Sequence, residues 1–279
     1  MKKNILLLAT GIFGLAITSH ANLVAWYKFD EEAGSTTALN ELPGSTGAIG
    51  SNVTTGLPGL SGNAYSFNGG VTQADIVDMG DASFFDALVE LGQLTFSAWI
   101  QTTDTTGNRN TAIFAGSDTV SNSYTDMGVA AGQAGHLGEA TARNRPSGSL
   151  GDQQTGIYST NFPVNDGLWH NLVMTVDLST ATMFLYVDGI LTNAQTMALS
   201  LFPDFNNFEV GRLGRQGTPA DGFQGLIDNV QVYNTVLTDA EVLYLYENPG
   251  MAIPEPSTYA LAALGLAIVG FRRFARKTA

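Results

Sequence analysis

The clearest pattern along the chain is an alternation of apolar and polar positions in short runs separated by turn-forming clusters. Leu94–Gln101 places Leu94, Phe96, Ala98 and Ile100 on one face and Thr95, Ser97, Trp99 and Gln101 on the other, the signature of a strand. Asp166–Leu178 and Ala181–Asn193 are the most regular stretches, and in the second Asp188-Gly189 stands between apolar flanks as a two-residue hairpin turn. Leu23–Phe29 sets Ala25, Tyr27 and Phe29 against Val24, Trp26 and Lys28. Gly222–Asn248 alternates and then changes period. From Leu226, the even positions Leu226, Asp228, Val230 and Val232 share one face, and Ile227, Asn229, Gln231 and Tyr233 the other. Asp228 thus falls in line with three apolar residues, which is costly unless something pairs with it. Thr238, with Glu241 three residues on, then forms a capping box that opens a short helix.

Shorter runs fill the rest. Asn63–Gly70 and Ala74–Gly80 read as two strands joined by Gly69-Gly70, and Asp81–Leu91 as a helical turn. Ala112–Ala115, Met127–Ala131 and Phe208–Arg212 continue the strand pattern. The Ser/Thr/Gly/Pro-rich stretch that runs to Gly62 reads as a long loop with room for a weak strand, and Thr102–Asn110, Gly116–Asp126 and Asn144–Thr155 as polar loops. Nothing in the body resembles an interdomain linker or a solenoid repeat. Residues 22–249 are therefore expected to form one all-β domain of about a dozen short antiparallel strands, a two-sheet jelly-roll sandwich. The last strand should close it against Leu23–Phe29, with the short helix following.

Both ends depart from this pattern. Residues 1–21 carry Lys2-Lys3, the apolar run Ile5–Ile17 and then Ser19-His20-Ala21, the layout of a secretory signal peptide cleaved before Asn22. Residues 250–279 contain Pro254-Glu255-Pro256, the apolar segment Tyr259–Phe271 and the basic cluster Arg272, Arg273, Arg276 and Lys277. That order predicts a separate hydrophobic tail helix with a positive cytoplasmic stop, too short for a relaxed bilayer span. It closely resembles the PEP-CTERM sorting signal, with Pro254, Glu255 and Pro256 as the motif. The resemblance implies an exosortase-type sorting protease as partner, transient anchoring in the inner membrane, and delivery to the cell surface or matrix of a Gram-negative bacterium.

Composition sharpens the picture. Among 279 residues there are 32 glycines and no cysteine, so the body must fold without disulfides. With the two ends set aside, six basic and 24 acidic residues remain, a net charge of about −18. Such a body repels nucleic acid and anionic membranes.

The ordered segments WYKFDEEAG, SFNGG, LTFSAWI, GLWHNLVMTVD, FLYVDG and FQGLIDNVQVYNTVLTDAEV resemble laminin-G-like, concanavalin A-type jelly-roll domains. The most specific pieces are Trp169-His170, the Tyr186–Gly189 hairpin and Gly225–Tyr233 with its helix. The resemblance spans the mature body. It implies binding of glycans or protein partners through a sheet face or rim loops, and a structural Ca²⁺ near the terminal strands. Asp228 and Asp30 are the metal ligands it points to.

Candidate chemistry is sparse. Beyond the signal segment only His136 and His170 remain, and no nucleophile elbow, H-E-x-x-H helix or phosphate loop is present. The E-x-D-x-x-E run of jelly-roll glycosidases is also missing. No catalytic residue is expected. Asp228 could instead accept backbone N–H bonds or pair with Arg212. Asp104, Arg109, Asp118, Tyr124, Arg143 and Arg145 are read as loop residues, of which Arg143 and Arg145 suit an acidic sugar or a carboxylate. Trp26 and Trp99 are candidate sugar platforms. The leading expectation is an exported, non-catalytic module that binds polysaccharide or other extracellular-matrix components. The alternatives are a structural surface protein without a small ligand and a glycan-active enzyme.

Overall fold

The computed structural model describes residues 22–80, 85–146 and 154–254, with the side chains of Asp86 and Ala87 excepted. The signal segment, Glu255 and Pro256 of the sorting motif, and the expected tail helix lie outside the described residues. Among those described, no helix is long and apolar enough to cross a membrane.

The first part of the chain gives β1 (Leu23–Tyr27), β2 (Thr37–Ala38), β3 (Gly47–Ile49), β4 (Thr54–Pro58), β5 (Asn63–Asn68) and β6 (Val77–Gly80). Then come α1 (Phe85–Leu91), β7 (Gln93–Gln101), β8 (Asn110–Gly116), β9 (Tyr124–Ala130) and β10 (Glu139–Arg145). The last part supplies β11 (Thr155–Pro163), β12 (Trp169–Asp177), β13 (Thr182–Val187), β14 (Ile190–Thr196), β15 (Asn207–Val210), β16 (Gln224–Tyr233) and α2 (Asp239–Glu247). They build two antiparallel sheets. The first runs β14-β13-β12-β7-β16-β5-β4, with β1 also on β16; the second runs β11-β10-β9-β8-β15-β6-β3-β2.

Alternation turns one face of each sheet inward. Leu94, Phe96, Ala98 and Ile100 of β7 meet Ile113, Met127, Ala140, Ala142 and Phe208 of the second sheet in one continuous core. The outer face of the first sheet is partly roofed by α2, whose Val242 and Leu245 pack on Val173, Tyr186 and Tyr233. The capping box forms as expected: Thr238 Oγ1 accepts the Glu241 N–H at 3.3 Å, and Glu241 Oε2 accepts the Thr238 N–H at 2.8 Å. The second sheet has no such helix among the described residues; Leu213 and Ala220 pack on the outer side chains Phe114 and Tyr124, and β8 to β10 are buried on both faces except at Arg145.

Four expectations need correction. Asn63–Gly70 and Ala74–Gly80 are not a hairpin: β5 joins the first sheet and β6 the second. Gly69-Gly70 carries the chain between them, and Asp75 fixes the crossing by accepting from Thr72, Asn52 and Asn68. These hydrogen bonds, that from the Thr72 hydroxyl foremost, hold the Asp75 carboxyl well below its usual range. The supposed loop up to Gly62 contains three short strands, β2 to β4. Residues 139–145 and 155–163, largely unassigned or read as loop, are the strands β10 and β11.

The fourth correction concerns the closing strand. β16 does meet β1, as expected. Its pairing with β7 shifts between Asp228 and Gln231, however, and Asn229 takes φ 51°. This β-bulge inserts one residue into the alternation, a conformation Asn tolerates better than most side chains. Ile227, Val230 and Val232 therefore all reach the core, and Asp228 is lifted out of their line.

The Asp188-Gly189 turn has φ 51° and 76°, the two positive values of a type I′ turn, and Val187 pairs with Ile190 across it. His170 locks this turn. Its Nδ1 lies 2.8 Å from Asp188 Oδ2 and its Nε2 3.1 Å from Asp166 Oδ1. Burial opposes the imidazolium, but the hydrogen bonds to Asp188 and Asp166 outweigh it, and the His170 pKa is raised above the ordinary 6.5. Folding thus favours the charged ring. Its contribution is fully present below pH about 6.5 and is lost as pH rises through the folded-state value. His170→Gln is expected to abolish that loss in urea titrations across this range; an unchanged pH profile would exclude His170 as its source.

Candidate binding face on the second sheet

The site begins with the alternation of β10. Ala140 and Ala142 point into the core, so Glu139, Thr141, Arg143 and Arg145 share the outer face. Their cross-strand neighbours are set by register: Asp126 and Gly156 flank Arg143, Tyr158 stands beside Thr141, and Tyr124 beside Arg145.

Arg143 is the buried centre of this face. Its Nε donates to Asp126 Oδ1 at 2.8 Å, Nη2 donates to Asp126 Oδ2, and Nη2 lies 3.6 Å from Asp221 Oδ2. The guanidinium also stands 5.2 Å from the centre of the Tyr124 ring. Burial works against its charge, yet Asp126 more than compensates and the pKa is raised. Asp221 shifts upward as well, because burial and the Asp126 charge outweigh the attraction of Arg143.

At one end of the face the Tyr158 ring stacks on His136, with centroids 3.8 Å apart and planes 9° apart. His136 Nδ1 lies 2.8 Å from Glu139 Oε2. Tyr158 Oη accepts from Arg109 Nη2 and from Gln133 Nε2, and the Arg109 guanidinium lies 5.7 Å from the ring centre. At the other end stand Arg145, whose side chain forms no hydrogen bond or ion pair among the described residues, and Arg215, which donates to Thr218 O and Asn122 Oδ1. Four of the body's six basic residues thus gather around β10 and its flanking loops, while Arg212 is paired with Glu209 farther along the same side of the sheet. Only Arg143 among the four has a carboxylate partner within the described residues.

The face also has spare hydrogen-bonding capacity. Eight buried side-chain polar atoms lack a partner among the described residues, and four of them lie here: Arg109 Nε, Gln133 Oε1, Thr141 Oγ1 and Arg145 Nε. Buried polar groups are normally paired, so such a concentration calls for an explanation.

Of the residues singled out in the sequence, Arg109, Tyr124, Arg143 and Arg145 converge here, with Tyr124, Arg143 and Arg145 on strands rather than loops. Asp104 is occupied in its own loop, accepting from Thr106 and Asn110 at 2.8 Å. Asp118 lies apart, beside Asn206. Trp99 is no platform: it is buried and stacks on Tyr246 of α2, with centroids 5.7 Å apart. Trp26 is half-buried and donates from Nε1 to Asn229 Oδ1 at 3.3 Å. Tyr158 and Thr141 escaped the sequence reading because the strands that present them did, and His136, noted there only as one of two histidines, is brought to Tyr158 by the turn between β9 and β10.

Asp30 and Asp228 do approach each other. Asp228 Oδ2 accepts the N–H of Leu60 at 3.0 Å and of Ser61 at 3.3 Å, and Oδ1 accepts from Asn229 Nδ2 at 2.7 Å. Asp30 Oδ1 accepts the Asn63 N–H at 2.7 Å. Burial, reinforced by the Asp30 charge, pushes the Asp228 carboxyl up to about 7. Arg212 pairs with Glu209 instead, through Nε to Oε2 at 2.7 Å and Nη2 to Oε1 at 2.8 Å. Among the described residues no group of three or more acidic, histidine or cysteine side chains is arranged to hold a metal ion. Pro254 is exposed at the last described position.

Comparison with known proteins agrees with the fold. The model of the concanavalin A-like lectin/glucanases superfamily matches residues 71–243, more than half the chain, and that of the PEP-CTERM protein-sorting motif matches residues 252–277. No curated protein matches. Among solved structures, domain 4 of AbnA, a GH43 extracellular arabinanase from Geobacillus stearothermophilus in complex with arabinotriose, aligns with TM-score 0.58 and 21% identity. The alignment covers 81% of this chain and 98% of that one. The binding domain of botulinum neurotoxin DC in complex with SialylT aligns with TM-score 0.58 and 12% identity, over 81% of this chain and 51% of that one. The binding domain of Paraclostridial Mosquitocidal Protein 1 gives TM-score 0.57 and 14% identity, over 81% and 52%. The chain spans about half the length of the two toxin domains. At these identities the likeness is one of fold.

Proposed function

The chain belongs to the concanavalin A-like lectin/glucanases superfamily and carries a PEP-CTERM signal for export, exosortase-dependent processing and sorting to the cell envelope or surface; on that premise we propose that it is a non-catalytic module that binds extracellular polysaccharide. The observation that carries this reading is the outer face of the second sheet, where arginines, a Tyr–His stack and unpaired buried polar atoms meet. Polysaccharides are recognised by such mixtures of ring faces and directed hydrogen bonds. Asp126 is held bidentately by Arg143, and the neighbouring carboxylate of Asp221 lies 3.6 Å from the same guanidinium, so the two acids bracket a buried arginine rather than an open cleft, which favours binding over hydrolysis. In the same reading the tail anchors the protein transiently in the inner membrane of a Gram-negative cell before release to the surface or matrix. A glycan array probed with the full-length protein tests the reading: saturable binding to a polymeric glycan is expected, and a blank array would favour a purely structural surface protein.

A calcium ion at Asp30 and Asp228 is a separate proposal. Two carboxylates converge, and neither is in an ion pair among the described residues, so a cation would relieve their repulsion. They supply only part of the six to eight oxygens calcium takes, and their present partners are N–H groups that a cation would displace. Calcium is expected to raise the thermal midpoint above that in EDTA. Identical midpoints at saturating metal would leave Asp228 as an acceptor that holds the 60–63 turn against β16.

A further inference from the structure

We infer that the outer face of the second sheet takes an acidic polysaccharide, with Arg109 and Arg145 binding anionic groups on separate sugar units. This rests on the polysaccharide-binding reading above and names the ligand class. The first ground is charge. The body holds about 18 more acidic than basic residues, yet four of its six basic side chains gather around β10 and its flanking loops. A body this acidic repels polyanions in general, so anion binding requires cations that its own carboxylates leave unpaired. Arg109, Arg145 and Arg215 are in no ion pair among the described residues, although Asp221 lies near enough to Arg109 and Arg215 to feel their charge, whereas Asp126 neutralises Arg143.

The second ground is unspent bonding capacity. Arg145 Nε and Arg109 Nε are buried without acceptors, and the rest of the Arg145 side chain has no partner among the described residues. A guanidinium offers five donors in a planar fork matched to carboxylate or sulfate oxygens. The structural alternative, an arginine fixed for packing, describes Arg143, which has its bidentate acceptor; it does not describe Arg145.

The third ground is spacing. Arg109 is held at the Tyr158 ring, which pairs with Thr141, and Arg145 stands four residues further along β10, roughly 13 Å away. One monosaccharide cannot span that distance, so two charged units of a polymer are needed. Between them Gly156 leaves the strip beside Arg143 open, and at the Tyr158 end His136, with 38% of its side chain exposed, presents the outermost ring.

Carboxylate and sulfate ester share this chemistry, and the experiment separates them. Binding of the full-length protein would be measured by calorimetry against polygalacturonate, its fully methyl-esterified form, dextran sulfate and dextran. The expected result is binding to polygalacturonate or dextran sulfate that weakens steeply with salt, and at least roughly 10-fold weaker binding to the uncharged counterpart. Arg109→Gln and Arg145→Gln are each expected to weaken polyanion binding roughly 10-fold with an unchanged thermal midpoint. Lys28→Gln serves as the charge control: Lys28 pairs with Glu41 at 3.3 Å, away from this face, and its loss should leave binding intact. Equal binding to charged and neutral polymers, or equal losses in all three variants, would overturn the inference while leaving polysaccharide binding in place. No binding to any polymer, with a blank array, would overturn both.

Discussion

Arg143→Met is expected to destabilise the domain by about 3–5 kcal/mol, the usual cost of removing one partner from a buried ion pair. Arg143 and Asp126 are almost fully buried, with side chains 5% and 4% exposed. Without the guanidinium, Asp126 keeps the Thr111 hydroxyl at 3.2 Å as its one remaining side-chain donor among the described residues, and Asp221 loses its nearest positive charge. The penalty is thus the stranded carboxylate more than the lost attraction. Pairing the change with Asp126→Leu removes that carboxylate and is expected to recover much of the stability. Urea unfolding of the two variants checks both statements, and a single variant within about 1 kcal/mol of the parent would show that water reaches Asp126 freely. The double variant also separates stability from binding, since it should fold yet present an altered ligand face.

Phe208→Ala should cost a similar amount, about 3–5 kcal/mol, for a different reason. Its ring lies between the sheets, with centroids 6.4 Å from Tyr27, 5.6 Å from Phe85 and 6.2 Å from Phe96. It therefore ties β15 to the first strand, to α1 and to β7 at once. Truncation leaves a cavity bounded by elements that are distant in sequence, and none of them can collapse into it without pulling a sheet out of register. Guanidinium unfolding would measure the loss. A value below about 1.5 kcal/mol, the range of well-tolerated core swaps, would mean that the sheets slide together to fill the space.

Much of the fold was legible because large apolar residues mark its period. Leu94–Gln101 and the two strands around Asp188-Gly189 alternate without interruption, and the turn carries its own chemistry. Legibility failed where the inward phase is made of small residues. In β10 that phase is Ala140 and Ala142, which fill a narrow gap between sheets but give a weak hydrophobic signal, and alanine is not a strand former. The same two alanines hid the binding face, since Thr141, Arg143 and Arg145 become neighbours in space once the segment is a strand. Closing the sheet needed information of another kind. Nothing in the period of LIDNVQV announces a bulge, and Asn229 at φ 51° becomes visible only when β7 and β16 are paired. Asp228 illustrates the consequence: the alternation put it among core residues, whereas the bulge gives it to the N–H groups of Leu60 and Ser61. Gly69-Gly70 shows the reverse error, a turn signal read as local when the chain was crossing between layers.

The claim that ligand lies along β10 and β11 is tested most directly at Gly156. This glycine is exposed, lies opposite Arg143, and does not occupy the left-handed region. A Cβ there would meet nothing closer than Arg143 Cγ and Gln154 Nε2 at 3.5 Å, so the backbone accepts a side chain. Calorimetric titration of Gly156→Trp with the acidic polymer the parent binds should show binding lost and the thermal midpoint unchanged, because the indole covers the strip between Arg109 and Arg145. Parent-like affinity in the folded variant would place the ligand elsewhere and contradict the account.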